Sequence, residues 1–370
     1  MHSSLPKVLH RIGAKPMLQH LVETTQKLNP KRIHVVVGHG RDQVIETISA
    51  GLRAASGQNS GKTTKKTTKN INWVTQEKQL GTGHAVMQAL ADTGARSTVI
   101  VLNGDVPLVT AKTLRKVSRV NKNINLVTIE LDNPTGLGRI LRDRRGKITG
   151  IVEEKDATPR QKKIREINTN CLAANAAKLK LWLSSLKSNN AQGEFYLTDA
   201  IACAVQDGVT VTSIRPGNVS ETLGVNNKSD LARLERIFQR QCSEQLMASG
   251  VTVLDPDRLD VRGTCRFGND CSIDINVILE GTVKVGSNVT IGPNTVIRNT
   301  TIGPGTVVEA NSVIENATIG KGCTIGPFAR IRPQTVLKDG ARIGNFVEIK
   351  KSTIGRGSKV SQSGVLLEVV

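Results

Sequence analysis

Residues 297–331, "IRNTTIGPGTVVEANSVIENATIGKGCTIGPFARI", return to an aliphatic side chain at every fifth or sixth position. Extended in both directions, the same step lands on eighteen apolar residues from Val261 to Val360, with three five-residue steps (297 to 302, 314 to 319, 349 to 354). With 38% of the chain hydrophobic, chance would give such a run on the order of 10⁻⁸ of the time. A period of six suits neither a helix nor a flat sheet. It predicts a β-helix, in which a short strand and a tight turn alternate and three hexapeptides close one triangular coil. About 100 residues would give roughly five and a half coils, stacked ~4.8 Å apart. Glycines follow many of the apolar positions (Gly268, Gly286, Gly292, Gly303, Gly320 and Gly326 among them), and are expected to absorb the strain of the turns.

The pattern resembles that of the left-handed hexapeptide acyltransferases, which implies trimers with active sites between neighbouring prisms. A prism that serves only as a trimerisation stalk fits the periodicity equally well.

Upstream, "KRIHVVVGHG" (31–40) is a β-branched run ending in glycine, and a stretch of helical spacing follows it. The alternation recurs at "INWVTQ" and "GTGHAVMQALA", then at "STVIVLNGDVPLV" and "TAKTLRKVSRV". Strand and helix in turn predict a parallel sheet with ligands at the carboxyl ends of its strands. The apolar run 99–109 breaks at Gly104-Asp105, which places Asp105 at that edge, as a Mg²⁺ ligand beside phosphates or as a cap of the next turn. Gly81, Thr82 and Gly83 precede a helix, with amides expected to approach a ligand closely. "GRILRD" and "GKITGIVEEKDAT" predict a hairpin carrying Arg139 and Glu153 toward the same edge. A long amphipathic helix over 227–250 then leads into the repeat. The predicted architecture is α/β plus β: a nucleotide-binding domain over 1–226, a linker helix over 227–250 and a β-helix over 251–370.

Composition narrows the function classes. The net charge is +20, and residues 1–70 alone carry 12 Lys and Arg against 3 Asp and Glu. Such charge suits nucleic acid or a polyanionic small substrate. Aromatic residues make up 2% of the chain, with one Tyr and two Trp, so platforms for stacking bases are scarce and nucleic acid is disfavoured. The densest basic stretch, residues 51–70, is a Gly/Ser/Thr/Lys segment expected to be an exposed insertion. No apolar run approaches a membrane span and no export signal is recognisable, so the expected location is cytoplasmic. The six cysteines show no CxxC pair and are expected to be buried free thiols.

Taken together, "LPKVLH", "QLGTGHA", "GDVPL", "PTGLGRI", "GIVEEKDAT", "EINTN", "NNAQGEFYLTDAI", "GVNN", "TIGPFARIRP" and "IGNFVEIKK" resemble a family of bifunctional N-acetylglucosamine-1-phosphate uridyltransferases and glucosamine-1-phosphate acetyltransferases. The likeness runs through nearly the whole chain. It implies a left-handed parallel β-helix behind a Rossmann-like nucleotidyltransferase domain, two activities (UDP-N-acetylglucosamine diphosphorylase and glucosamine-1-phosphate N-acetyltransferase), and a role in making UDP-N-acetylglucosamine for peptidoglycan and the cell wall. UMP would pass from UTP to N-acetylglucosamine-1-phosphate with Mg²⁺, and acetyl-CoA would acetylate glucosamine-1-phosphate in a homotrimer. By resemblance, Asp105 and Asn226 would bind Mg²⁺, and Lys7 the phosphates. Gln76, Gln79, Gly81 and Thr82 would face the uridine, Gly138, Glu153 and Asn168 the sugar, and Arg332 and Lys350 the second sugar phosphate. Asn103 stands where some relatives carry an aromatic residue.

Two departures from the pattern bear on activity. The family's first strand and glycine-rich phosphate loop have no counterpart, since Met1 falls where that loop's methionine stands, so weak or absent uridylyl transfer is expected. After "GRGSK", Gln362 and Val365 replace the family's general-base histidine and a tyrosine, and all six histidines lie at or before position 84. Loss of acetyl transfer is expected. A catalytically inactive chain acting only as a trimerising partner is the alternative.

Overall fold

The computed structural model describes residues 1, 3–55, 70–120, 123–186, 188 and 190–361. The chain divides into two compact units, one of Met1–His10 with Pro16–Leu231 and one of Arg11–Lys15 with Ala232–Val370. Most of the basic insertion expected over 51–70 lies outside the described residues, and so do Gln362 and Val365.

The first unit is Rossmann-like, with strands β1 (Ile33–Val37), β2 (Ile71–Thr75), β3 (Thr98–Val101) and β4 (Ile124–Glu130) alternating with helices α1 (Met17–Gln26), α2 (Arg41–Ala55), α3 (Thr82–Leu90) and α4 (Ala111–Val117). After them come the strands β5 (Arg139–Arg142), β6 (Ile148–Val152), β7 (Glu166–Asn175) and β8 (Val211–Ile214), with helices α5 (Ala176–Ser184) and α6 (Asp199–Gln206). Side chains fix several helix starts: Thr110 accepts from the Thr113 amide at α4, and Asn175 from the Lys178 amide at α5, each satisfying an otherwise orphaned donor.

The strands that alternate with helices depart from the expected parallel sheet. β1 and β2 pair in parallel as a separate two-stranded sheet. The six-stranded sheet runs β8-β4-β7-β5-β6, with β3 also on β7, and only β8 and β4 are parallel. The reason is β7: ten residues long, it runs against β3, β4 and β5 together. Strand-helix alternation in the sequence is blind to that later partner. Between β1 and β3 lies a cavity of about 810 Å³, lined by the consecutive residues Ile33–Gly38 on one side and Ser97–Gly104 on the other. Consecutive residues on a wall mean that strand edges face it, because alternate residues point to opposite faces.

Helix α7 (Lys228–Ala248) precedes the repeat. The second unit is a parallel β-helix with three stacks of short strands, the longest holding seven, and the strands Leu259–Phe267 and Val277–Val285 bend from one stack into the next. The eighteen periodic positions form its core. All are buried except Phe267 and Val360, which are half-buried and pack against it.

Most of the six glycines named above do a different job from the one expected. Among them only Gly326 has a positive φ. The left-handed corners are shared by asparagines such as Asn276, Asn288, Asn294 and Asn311, at φ between 57° and 60°, and by other glycines such as Gly305, Gly322 and Gly340; Asn tolerates that conformation well. At the glycines the next coil comes too close for a side chain: a Cβ on Gly292 would meet the Ala310 amide nitrogen at 2.8 Å, and one on Gly320 the Asp339 nitrogen at 2.6 Å. Coil-to-coil approach, not turn strain, demands glycine at these two, whereas Gly326 at φ 97° does serve a turn, as do glycines such as Gly305 and Gly322, with open space at the Cβ position.

Among the described residues no helix is long and apolar enough to cross a membrane. All six cysteines are free, three of them buried and three half-buried. Burial pushes the thiols of Cys171 and Cys242 up to about 12, helped at Cys242 by Cys265. Such thiols are poor nucleophiles.

Candidate functional site

Asp105 follows β3, Lys7 lies in the single turn Lys7–Leu9, and Asn226 just precedes α7. The fold brings these three segments together. Lys7 Nζ donates to Asp105 Oδ2 at 2.5 Å and to Asn226 Oδ1 at 2.8 Å. The Val225 amide also donates to the Asp105 carbonyl at 3.1 Å, so the backbones that carry the two oxygens are tied. A carboxylate and an amide oxygen already converging on one cation form a hard-donor pair suited to Mg²⁺.

The second group forms where β5, β6 and β7 meet. The Asn168 amide donates to the Gly138 carbonyl at 2.9 Å. A Cβ on Gly138 would lie 3.2 Å from Glu153 Oε2, so glycine leaves room for that carboxylate. Thr198 donates to Glu153 Oε1 at 3.0 Å. Burial raises the Glu153 pKa above the usual carboxylate range; the Thr198 bond opposes this, and Asp199 and Asp156 add to it. Asn168 is buried and bonded to Asn170, whose φ is 57°. The hairpin of β5 and β6 is present, but Arg139 does not reach the edge with Glu153. Strand alternation turns it inward, where it is 1% exposed and donates to Glu154 Oε2 at 2.6 Å.

Around the Gly-Thr-Gly turn the structure changes the expected role of the amides. The Gly83 amide donates to the Phe195 carbonyl at 2.8 Å, and the Phe195 amide to the Leu80 carbonyl at 2.8 Å. A Cβ on Gly81, where φ is 105°, would sit 2.7 Å from the Phe195 oxygen, and one on Gly83 2.9 Å from it. Both glycines are required by the chain's own 194–197 segment, and Gly83 has no amide to spare. Thr82 accepts from the Leu197 amide at 3.2 Å, and Gln76 donates to the Gly81 carbonyl at 3.2 Å. Gln79 and Asn103 line the same cavity as Lys7 and Thr82.

In the β-helix, Arg332 and Lys350 share one column. Arg262, Glu280, Arg298 and Glu315 occupy successive coils in register, and Arg298 bonds both Glu280 (3.0 Å) and Glu315 (2.6 Å). Ile314, Ile331 and Ile349 continue the register, so the next two rungs after Glu315 are Arg332 and Lys350. The alternation of sign stops there. Arg332 turns instead to Glu348 at 2.6 Å and, ahead of the nearby charges of Arg330 and Lys350, holds that carboxyl below its ordinary range. Two adjacent cations on a rung spacing of ~4.8 Å repel one another and suit a bound anion.

Sequence reasoning overlooked Thr198 and Asp230. The first is signalled by no local pattern, since its partner lies 45 residues away. The second has one: Asn227 followed three places later by Asp230 has the spacing of a capping box.

Residues 1–130 match the MobA-like NTP transferase domain family and residues 261–370 the GMPPB C-terminal domain family. Among solved structures, UDP-glucose pyrophosphorylase complexed with UDP-glucose aligns over 64% of this chain and 91% of its own, at 14% identity and a TM-score of 0.47. Two curated relatives are far closer in sequence. The chain is 49% identical to Bifunctional protein GlmU of Marinobacter nauticus and 46% identical to that of Pseudoalteromonas atlantica, each over 363 residues that make up 98% of this chain and 76% of the relative. Identity of that order, sustained through both units, settles the kinship: the chain belongs to the bifunctional GlmU family.

Proposed function

We propose that the first 226 residues serve the transfer of UMP from UTP to N-acetylglucosamine-1-phosphate, at the weak rate the sequence leads one to expect, with Mg²⁺ held by Asp105 and Asn226. The observation that carries this reading is the convergence of Asp105 Oδ2 and Asn226 Oδ1 on the Lys7 ammonium, a cation held between two hard oxygen donors. Bound there, Mg²⁺ supplies neutralisation of the nucleotide's phosphate charge. The chain's own groups hold and orient the substrates. Lys7 pairs with phosphate oxygens, Gln76, Gln79, Gly81 and Thr82 bound the uridine side, and Asn103 lines the approach. Gly138, Glu153 and Asn168 seat the sugar, Glu153 accepting from its hydroxyls. Attack of one phosphate on another needs positioning and charge neutralisation, with little covalent work by side chains.

In the β-helix, Arg332 and Lys350 would take the phosphate of glucosamine-1-phosphate. We propose that the family's acetyl transfer from acetyl-CoA is lost here: residue 362 is Gln where the resemblance implies the family's general-base histidine, and an amide accepts no proton at neutral pH. A homotrimer built through the β-helix, a cytoplasmic location, supply of UDP-N-acetylglucosamine for peptidoglycan, and domain bounds of 1–226 and 251–370 about a linker helix complete the proposal.

Pyrophosphate release from UTP and N-acetylglucosamine-1-phosphate, with Mg²⁺ and with chelator, tests the first activity. Turnover should need Mg²⁺ and fall on the order of 100-fold in Asp105→Asn and Asn226→Ala. Equal rates in wild type and Asp105→Asn would refute the assignment. Thiol release from acetyl-CoA with glucosamine-1-phosphate should stay at background, and sustained release would overturn the proposed loss.

A further inference from the structure

The start of α7 carries more hydrogen bonding than a helix cap requires. Asn227 Oδ1 accepts from the Asp230 amide at 2.8 Å, and Asp230 Oδ2 accepts from the Asn227 amide at 3.1 Å. That exchange is a complete capping box. Asp230 Oδ2 also accepts from the amide of Asn226 at 2.8 Å, the shorter of its two bonds and one the cap does not need. On the other side of Asn226, the Val225 amide donates to the Asp105 carbonyl. Asn226 itself is exposed. The backbone of an exposed residue sets where its side chain starts and which rotamers are open to it, and its Oδ1 must stay near Asp105 Oδ2 for both to grip one cation.

We infer that Asp230 is a positioning residue for the divalent-cation site: its carboxylate clamps the backbone of Asn226 and so aims that residue's amide oxygen at the point where Asp105 also converges. This rests on the proposed assignment of Asp105 and Asn226 as Mg²⁺ ligands. Asp230 does not touch the cation. It acts as hydrogen-bonded groups behind metal ligands generally do, by restricting ligand orientation, and loss of such a partner typically weakens metal binding tenfold or more.

The experiment titrates the full chain with Mn²⁺ alone, read by the loss of free Mn²⁺ signal in electron paramagnetic resonance, alongside thermal melts. Wild type should bind Mn²⁺ and Asp105→Asn should not. Asp230→Ala should bind about tenfold more weakly, and Asp230→Asn, which retains one acceptor oxygen, should recover part of that loss. A cap with no further role predicts something else, a lowered melting temperature with Mn²⁺ affinity unchanged in Asp230→Ala, and that result overturns the inference while leaving the cation site standing. Should Asp230→Ala melt below the assay temperature, Asp230→Ser, too short to reach both amides, takes its place under the same criterion. If Asp105→Asn binds Mn²⁺ as wild type does, the cation site itself is wrong and the role given to Asp230 falls with it.

Discussion

Lys7 Nζ lies 2.5 Å from Asp105 Oδ2 and also reaches Asn226 Oδ1, so the lysine's charge stands where the two oxygens would hold a divalent ion. Lysine and metal therefore compete for one seat. Replacing Lys7 with Met should tighten Mn²⁺ binding by roughly twofold to fivefold, the worth of a partly exposed ion pair. If Lys7 holds the phosphates as proposed, the same substitution should slow uridylyl transfer on the order of 100-fold. Opposite movements of affinity and turnover are the signature to measure; a parallel fall in both would show that Lys7 merely supports the fold.

Glu153 offers a pH test. Burial raises its pKa in the folded state, so ionising it costs folding free energy. The protonated form is favoured in the folded state, and that advantage is complete below the ordinary glutamate value of 4.5 and is lost as pH rises through the elevated folded value. Glu153→Gln removes the cost. Its melting temperature should exceed that of wild type at pH 7 and converge with it below about pH 4.5, while the KM for N-acetylglucosamine-1-phosphate rises. A gap that persists unchanged at acid pH would count against the burial argument.

The periodic positions of the β-helix were readable because every coil repeats the same burial: one aliphatic side chain per face, from Val261 to Val360. The Asp105 edge was readable because a strand ran out at Gly-Asp. What stayed hidden depends on contacts distant in sequence. Nothing near Gly83 announces that its amide is taken by Phe195, more than a hundred residues on, and nothing near Thr98–Val101 announces an antiparallel partner at Leu172–Asn175. Likewise Arg139 looked available until the fold supplied Glu154 and buried it.

β1 and β3 should be the loose part of the first unit. Each has a strand on one side only, and their other edges face the cavity between them. β4, by contrast, is buried along six of its seven residues and paired on both sides. Strands with fewer partners open more readily. Hydrogen exchange by mass spectrometry should show the amides of 33–37 and 98–101 exchanging at least about tenfold faster than those of 124–129. Equal protection in all three strands would mean that the cavity does not weaken its walls.

Gly292 and Asn294, two residues apart at one corner of the β-helix, separate the two explanations for its glycines. Gly292 has an ordinary φ, yet a Cβ there would meet the Ala310 nitrogen at 2.8 Å and the Val308 oxygen at 3.1 Å. These are backbone atoms of the next coil and cannot swing away as a flexible side chain would. Asn294 has the left-handed φ of 57°, where a non-glycine residue bears a conformational cost of roughly 1–2 kcal/mol that Asn partly offsets. Gly292→Ala should therefore destabilise the β-helix by roughly 1–3 kcal/mol, the usual penalty of overpacking. Asn294→Gly should leave stability within about 0.5 kcal/mol, since glycine takes that conformation freely. If turn strain governed the glycines instead, Gly292→Ala would be harmless. Urea unfolding of both variants, followed by far-ultraviolet circular dichroism, decides between coil contact and turn conformation.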